Sequence, residues 1–357
     1  LKKREWPDDE IQQMMILYSN PVSFPNFRPN WLSSAISMND WFILLHSEKN
    51  SPDVDQFANN GFVPVYYWSH AVIARDWYRF AEHDSRLGQR QIEKTFLVYC
   101  RDWTPTREYR LKFSELVVNN NLQMHSMMRF NAESEGNNYQ NFTPSNSAFK
   151  IQCTDLENHF DACLVDATAS ADYANDDYQY TAIEVVLETL FDDTRLHMTA
   201  KSLRPIACGR PFILAATPGS LEYIRSYGFK TFNGYIDETY DSVQDPLERL
   251  VLIVNEMKRI SQLSQDQKRQ LWQNLYAIAD YNKKLFFDQS WQQSIFSEFV
   301  TNARSAVATS DHNKTGKYWK EFYNAWQESP EKFNHVLVHG LIDSMIHAEE
   351  IEQLLGQ

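Results

Sequence analysis

The sequence predicts an α/β protein of two domains, each built on a parallel sheet with helices packed against it. Three observations carry this. Short β-branched and aromatic runs alternate with amphipathic helical stretches. A charged, polar segment near Gln91–Lys94 separates two such series. A length of 357 residues exceeds what one hydrophobic core ordinarily organises.

In chain order, MMILYS (14–19), WFILLHS (41–47) and FVPVYYWS (62–69) have strand composition, and a helix is expected over 71–82. The second series opens with the strand KTFLVYCRDW (94–103), followed by a helix near 107–119. Further strands are expected at 126–130, 148–153, 182–189, 211–217 and 229–232. Beyond Asp245 the pattern turns helical, first in DPLERLVLIVNEMKRISQL and then from Gln265 to about Ala303. TSDHNKTGK (309–317) is polar and loop-like, and a last helical region runs to Gln357. The expected division is therefore 1–93, 94–304 and a helical tail, 305–357.

Composition narrows the function. The net charge of −13 repels phosphate backbones at long range, so nucleic acid is not an expected partner. With 10 glycines and neither GxGxxG nor GxxxxGK[ST], a glycine-rich phosphate loop is not expected. Cys100, Cys153, Cys163 and Cys208 form no CxxC pair and no metal spacing. Cys100 and Cys208 lie in apolar surroundings and are expected as reduced core thiols. No run approaches a membrane span, and LKKREWPDDE is not a signal peptide. A cytoplasmic location is the expectation.

Several residues could carry chemistry. In AIEVVLET, alternation puts Glu184 and Glu188 on one face, and Glu188 falls at the carboxyl end, where open α/β sheets bind ligands. Both could equally be solvated edge carboxylates. In HMTAKSLRP, Thr199 can cap a helix whose first turn holds Ala200, Lys201 and Ser202. Free N–H groups, the helix dipole and Lys201 would together attract an anion, and Arg204 could extend that site. Alternatively Lys201, Arg204 and Arg210 form a solvated face. A second helix start at Thr217–Ser220 could face the same crevice. In CRDWTPTREYR, Arg101, Arg107 and Arg110 surround a strand-to-helix turn, where a guanidinium can grip two phosphate oxygens. His70 ends a strand ahead of Arg75 and Asp76, and Glu48 ends another beside His46. A histidine there could serve as a base.

One resemblance joins these stretches. The pattern ET…TxKSLRPIACGRPFIL…PGSLEYIRSYGFKTF…IDETYD, with WSHAVIARDWYR and FLVYCRDWTPTREYRLKF upstream, resembles a bacterial and phage glycosyltransferase group. Its better-known relatives are the fucosyltransferase and exostosin types, with their T-E-K core. The resemblance covers roughly 63–241. It implies a GT-B architecture, two Rossmann-like domains facing a cleft, to which the pattern beyond Asp245 adds a C-terminal helical extension. It also implies a nucleotide-sugar donor, a glycan or lipid-linked acceptor, and no bound metal or other cofactor. By position Lys201 would contact phosphate, Arg101 or Arg107 would assist, and Ser220 would line the pocket. The acceptor would bind the first domain, with His70, Asp76 or Glu48 as base. Ala200 stands where the group carries Glu, which implies an impaired or deliberately inactivated transferase. Two other readings remain open: a nucleotide- or carbohydrate-binding protein without catalysis, and a phage enzyme that glycosylates DNA bases.

Overall fold

A computed structural model describes residues 32–38, 41–59, 63–104, 106–163 and 171–309. The strand expected at 14–19 and nearly all of the tail at 305–357 lie outside these residues. The chain forms two compact units, one of residues up to Ser69 and from Gln292, the other His70–Trp291. The expected boundary near 91–94 thus falls inside the second unit. Among the described residues each unit has its own sheet.

The first unit holds a three-stranded sheet, β1 (Leu32–Met38), β2 (Trp41–His46) and β3 (Val63–Tyr66). β1 and β2 pair antiparallel, whereas β2 and β3 pair parallel. The parallel pair requires a crossover, supplied by α1 (Pro52–Asn59). Pro52 suits the first helical position, and Asp53 and Asp55 complement the dipole of the first turn. The unit also takes in most of the last described helix, Gln289–Thr309. Ile295, Phe299 and Ala303 form its buried stripe at four-residue spacing. Phe299 packs on Tyr67, and the Asn302 amide donates to the Tyr66 carbonyl at 3.1 Å.

The second unit opens with α2 (Ser69–Trp77) and a 3₁₀ turn at Arg79–Glu82, in place of one helix through residue 82. Its sheet runs β4 (Lys94–Cys100), then β5 (Ser126–Phe130) after α3 (Tyr109–Asn119). A two-stranded hairpin follows, β6 (Glu133–Ser134) and β7 (Asn137–Asn138). α4 (Asn175–Tyr180) leads into β8 (Thr181–Leu187), α5 (Ala200–Ala207), β9 (Phe212–Ala215) and α6 (Ser220–Ser226). The helices α7 (Pro246–Ser261) and α8 (Gln265–Phe287) follow, and α9 (Gln289–Thr309) is the helix already described.

All four long strands are parallel, in the order β5-β4-β8-β9. From β4 the chain crosses outward through α3 to β5; from β8 it crosses the other way through α5 to β9. Right-handed crossovers in opposite directions place their helices on opposite faces. Side chains of β4 bear this out: Cys100 meets Ser114 of α3, and the next residue back, Tyr99, lies under the Arg204 guanidinium of α5. The strand order therefore reverses between β4 and β8, and their carboxyl ends flank the crevice where such sheets bind ligands. Every residue of β8 is buried, as expected of a central parallel strand.

Two expected strands are absent, for a common reason. At 148–153 the chain makes a 3₁₀ turn (Ser147–Phe149), and the Gln152 and Cys153 amides donate to the Glu115 carboxylate. At 229–232 the Lys230 amide donates to Asn282 and the Phe232 amide to Glu238. Side chains satisfy these backbone donors, so no ladder is needed. Phe229 and Phe232 are core residues that punctuate a loop. The run at 265–303 is two helices, broken at Asp288, whose carboxylate accepts from the Ser290 amide at 2.7 Å. Cys100 and Cys208 are buried free thiols, as expected.

Candidate anion site at the strand-order reversal

The carboxyl end of β8 delivers Glu188, which is fully buried. Its carboxylate accepts from the Thr199 and Ser202 amides at 3.0 and 3.3 Å, both at the start of α5. The Thr199 and Ser202 hydroxyls donate to it at 2.9 and 2.6 Å, and the Thr189 amide at 2.9 Å. Burial alone would raise its pKa. Lys201, the Ser202 hydroxyl, the Thr189 amide and His197 outweigh burial and bring it down to about 2. Glu188 is therefore an internal counter-ion for this helix start, not an edge carboxylate. The free N–H groups expected there for an external anion are already occupied.

Lys201 stands one residue into the same helix. Its amine donates to the Thr189 hydroxyl at 2.9 Å and lies 3.4 Å from that of Thr199. Among the described residues no carboxylate lies within ion-pair distance of it. Burial pulls its pKa down to about 7; Glu188 opposes this, and Arg110, Arg107 and Arg204 add to the lowering. Arg110 is buried and gives its guanidinium to the carbonyls of Asp102, Leu187 and Glu188. Arg107 donates to the Thr104 carbonyl at 3.2 Å, and Thr106 beside it donates to the Thr189 carbonyl at 3.2 Å. Nε of both arginines is buried without an acceptor among the described residues. Three basic side chains thus converge on the ends of β4 and β8, their direct partners carbonyls and hydroxyls, with Glu188 acting on Lys201 from beyond ion-pair distance.

A cavity of about 550 Å³ opens from this point along the Tyr99 face of the sheet. Lys201 and Arg110 line it, with Arg101, Arg129, Asp177, Glu184 and Arg204 also in its wall. The arginines of the wall are paired. Arg204 binds Glu184 and, at 3.1 Å, the Tyr178 hydroxyl, so it is a structural cation and does not extend the anion site. Arg129 binds Asp177, which also accepts from Tyr99 at 2.7 Å. Arg101 is paired with Asp102 at 3.0 Å.

The remaining expected residues scatter. Ser220 is buried and its hydroxyl donates to the Thr217 carbonyl at 2.6 Å. The Asp241 carboxylate accepts from the Leu221 amide at 3.1 Å, so this second helix start is also internally capped. Thr199 caps α5 as expected, accepting from the Lys201 amide at 3.2 Å. Ala200 is buried, 6% exposed, and its carbonyl accepts from the Tyr78 hydroxyl at 3.3 Å. Asp76 is exposed and paired with Arg79. Glu48 is buried in the first unit, where its carbonyl accepts from His46 Nδ1 at 2.9 Å. His70 and Asp76 belong to the second unit, so the three expected bases do not share one domain. His70 lies edge-on to His197 at 5.0 Å, in the field of Glu188 and Lys201. Burial first, then His197, lowers its pKa to about 3, against the opposing charge of Glu188. It is neutral at physiological pH and a weak base.

Arg110 is already singled out in the sequence beside Arg101 and Arg107. Thr189, which completes the cation cluster, is not, because only the turn from β8 back into α5 brings it to Lys201. No family model, curated protein or solved structure matches this chain.

Proposed function

We propose that the crevice between β4 and β8 binds the diphosphate of a nucleotide-sugar donor, and that the protein is a glycosyltransferase of GT-B type. The observation that carries this is the convergence of Lys201, Arg107 and Arg110 without a carboxylate partner. Basic groups without a direct ion pair at the reversal of strand order favour an anionic ligand over a neutral one. The adjoining cavity, about 550 Å³, has the size of a small-molecule site and could take the rest of the donor. In transfer, negative charge develops on the departing nucleotide phosphate, where Lys201 and the two guanidiniums would stabilise it. No metal is required for that role, and the acceptor would be a glycan or lipid-linked sugar.

Lys201→Ala should weaken binding of a nucleoside diphosphate by about 1–3 kcal/mol, the scale of a charge-assisted hydrogen bond. Calorimetric titration checks this, and unchanged affinity would remove Lys201 from the site. Acceptor-dependent release of nucleotide from a panel of nucleotide sugars tests the transfer itself. A second reading, nucleotide binding without catalysis, is favoured by the low basicity of His70. Tight binding with no release across the panel would decide for it.

A further inference from the structure

We propose that the Lys201 amine is a covalent capture site for anionic carbonyl compounds, aldehydes or α-keto acids carrying a phosphate or carboxylate, which it holds as an imine. Lys201 lines a cavity large enough for such a molecule, about 550 Å³. Its contacts are the hydroxyls of Thr189 and Thr199, neutral groups that leave the nitrogen lone pair available once a proton is lost. The neighbouring cations are Arg107 and Arg110, held on backbone carbonyls. A guanidinium does not give up its proton in a protein, so the lysine is the one member of the cluster that can relieve the crowding by deprotonating. Burial and those two arginines bring its pKa to about 7, against the pull of Glu188, so much of the amine is neutral near neutral pH. Arg110, which helps expel the proton and lines the cavity beside Lys201, attracts the anionic end of a carbonyl compound and directs its other end to the amine.

The step balances without an oxidant. The amine lone pair attacks the carbonyl carbon, the C=O pair moves to oxygen, and a proton passes from nitrogen to that oxygen. Water then leaves with the second nitrogen proton, and the C=N bond forms. This capture shares the cation cluster with the donor site and does not require the protein to use a nucleotide.

The test uses the full chain with pyridoxal 5′-phosphate as probe, followed by borohydride to fix the imine, and peptide mapping. The expected result is labelling of Lys201 ahead of every other lysine. Pyridoxal without its phosphate should label it at least about tenfold less, as loss of one charge-assisted contact would give. Inorganic phosphate should compete. Labelling should increase with pH through about 7, where the amine becomes neutral. Label spread over other lysines with Lys201 spared would overturn the proposal, as would equal labelling by pyridoxal and its phosphate. Lys201→Arg should fold and lose only that labelled peptide. If a nucleoside diphosphate fails to protect Lys201 while inorganic phosphate does, the capture site stands and the donor reading falls.

Discussion

Lys201 changes its charge with its company. Burial, Arg110 and Arg107 hold its pKa at about 7; under the proposed function a bound phosphate would replace that repulsion with attraction and draw a proton onto the amine. Binding of a nucleoside diphosphate should therefore take up protons, and its affinity should fall as pH rises above about 7, where the amine must be recharged first. Calorimetry in two buffers of different ionisation heat measures the uptake, and an identical heat in both would refute it. The sign for folding is separate. A lysine with a lowered folded pKa makes stability rise as pH climbs from about 7 towards its ordinary 10.5, because only the unfolded chain still binds the proton. Much of this residue was legible in the sequence, where TAKS announces a capped helix with a cation in its first turn. The depressed basicity was not, because it depends first on burial and then on Arg110 and Arg107, brought near by the folding of a distant strand and helix.

At the scale of the element, α5 shows how a correct local reading can mislead. Thr199 is the cap and residues 200–207 are helical, as the sequence indicates. The expectation that this start was open to an external anion fails on Glu188, eleven residues before Thr199. Its carboxylate fills the helix start from β8. A glutamate in place of Ala200 would add a second negative charge beside it, at a position only 6% exposed. Ala200→Glu should therefore lower stability by about 1–3 kcal/mol, within the range for buried charge and overpacking. Thermal or denaturant unfolding checks this, and a variant as stable as the parent would show that α5 has room for the longer side chain. The strand errors at 148–153 and 229–232 have the same origin: Glu115, Asn282 and Glu238 take the backbone donors, and no local pattern reveals such partners.

Across the whole molecule, the α/β class was legible because strand and helix periods differ. The domain boundary was not. The polar segment at 91–94 looks like a linker, yet the Gln91 and Glu93 amides bond to the carbonyls of Gln179 and Tyr180 in the same unit. Both units carry a buried neutral histidine, which sets a shared weakness to acid. His46 titrates at about 4 and His70 at about 3, against 6.5 unfolded, so stability should fall as pH drops below 6.5 and the unfolded chain gains protons. Glu188, at about 2 against 4.5, adds a further loss between those values. Unfolding midpoints measured from pH 7 to pH 3 should fall throughout. A flat profile between pH 6.5 and 4.5 would contradict the buried-histidine assignment.

The carboxylate that closes α5 amounts to a tethered ligand in a receptor the fold has made for it. Three backbone amides and two hydroxyls would be left facing a vacancy if the tether were cut. Glu188→Ala should therefore lose stability and recover part of it on addition of formate, a carboxylate small enough to enter the vacated space. Larger carboxylates should rescue less, and neutral formamide not at all. Equal recovery with chloride would mean that the amides select for charge alone. A graded response would give the dimensions of the receptor, read in thermal shifts.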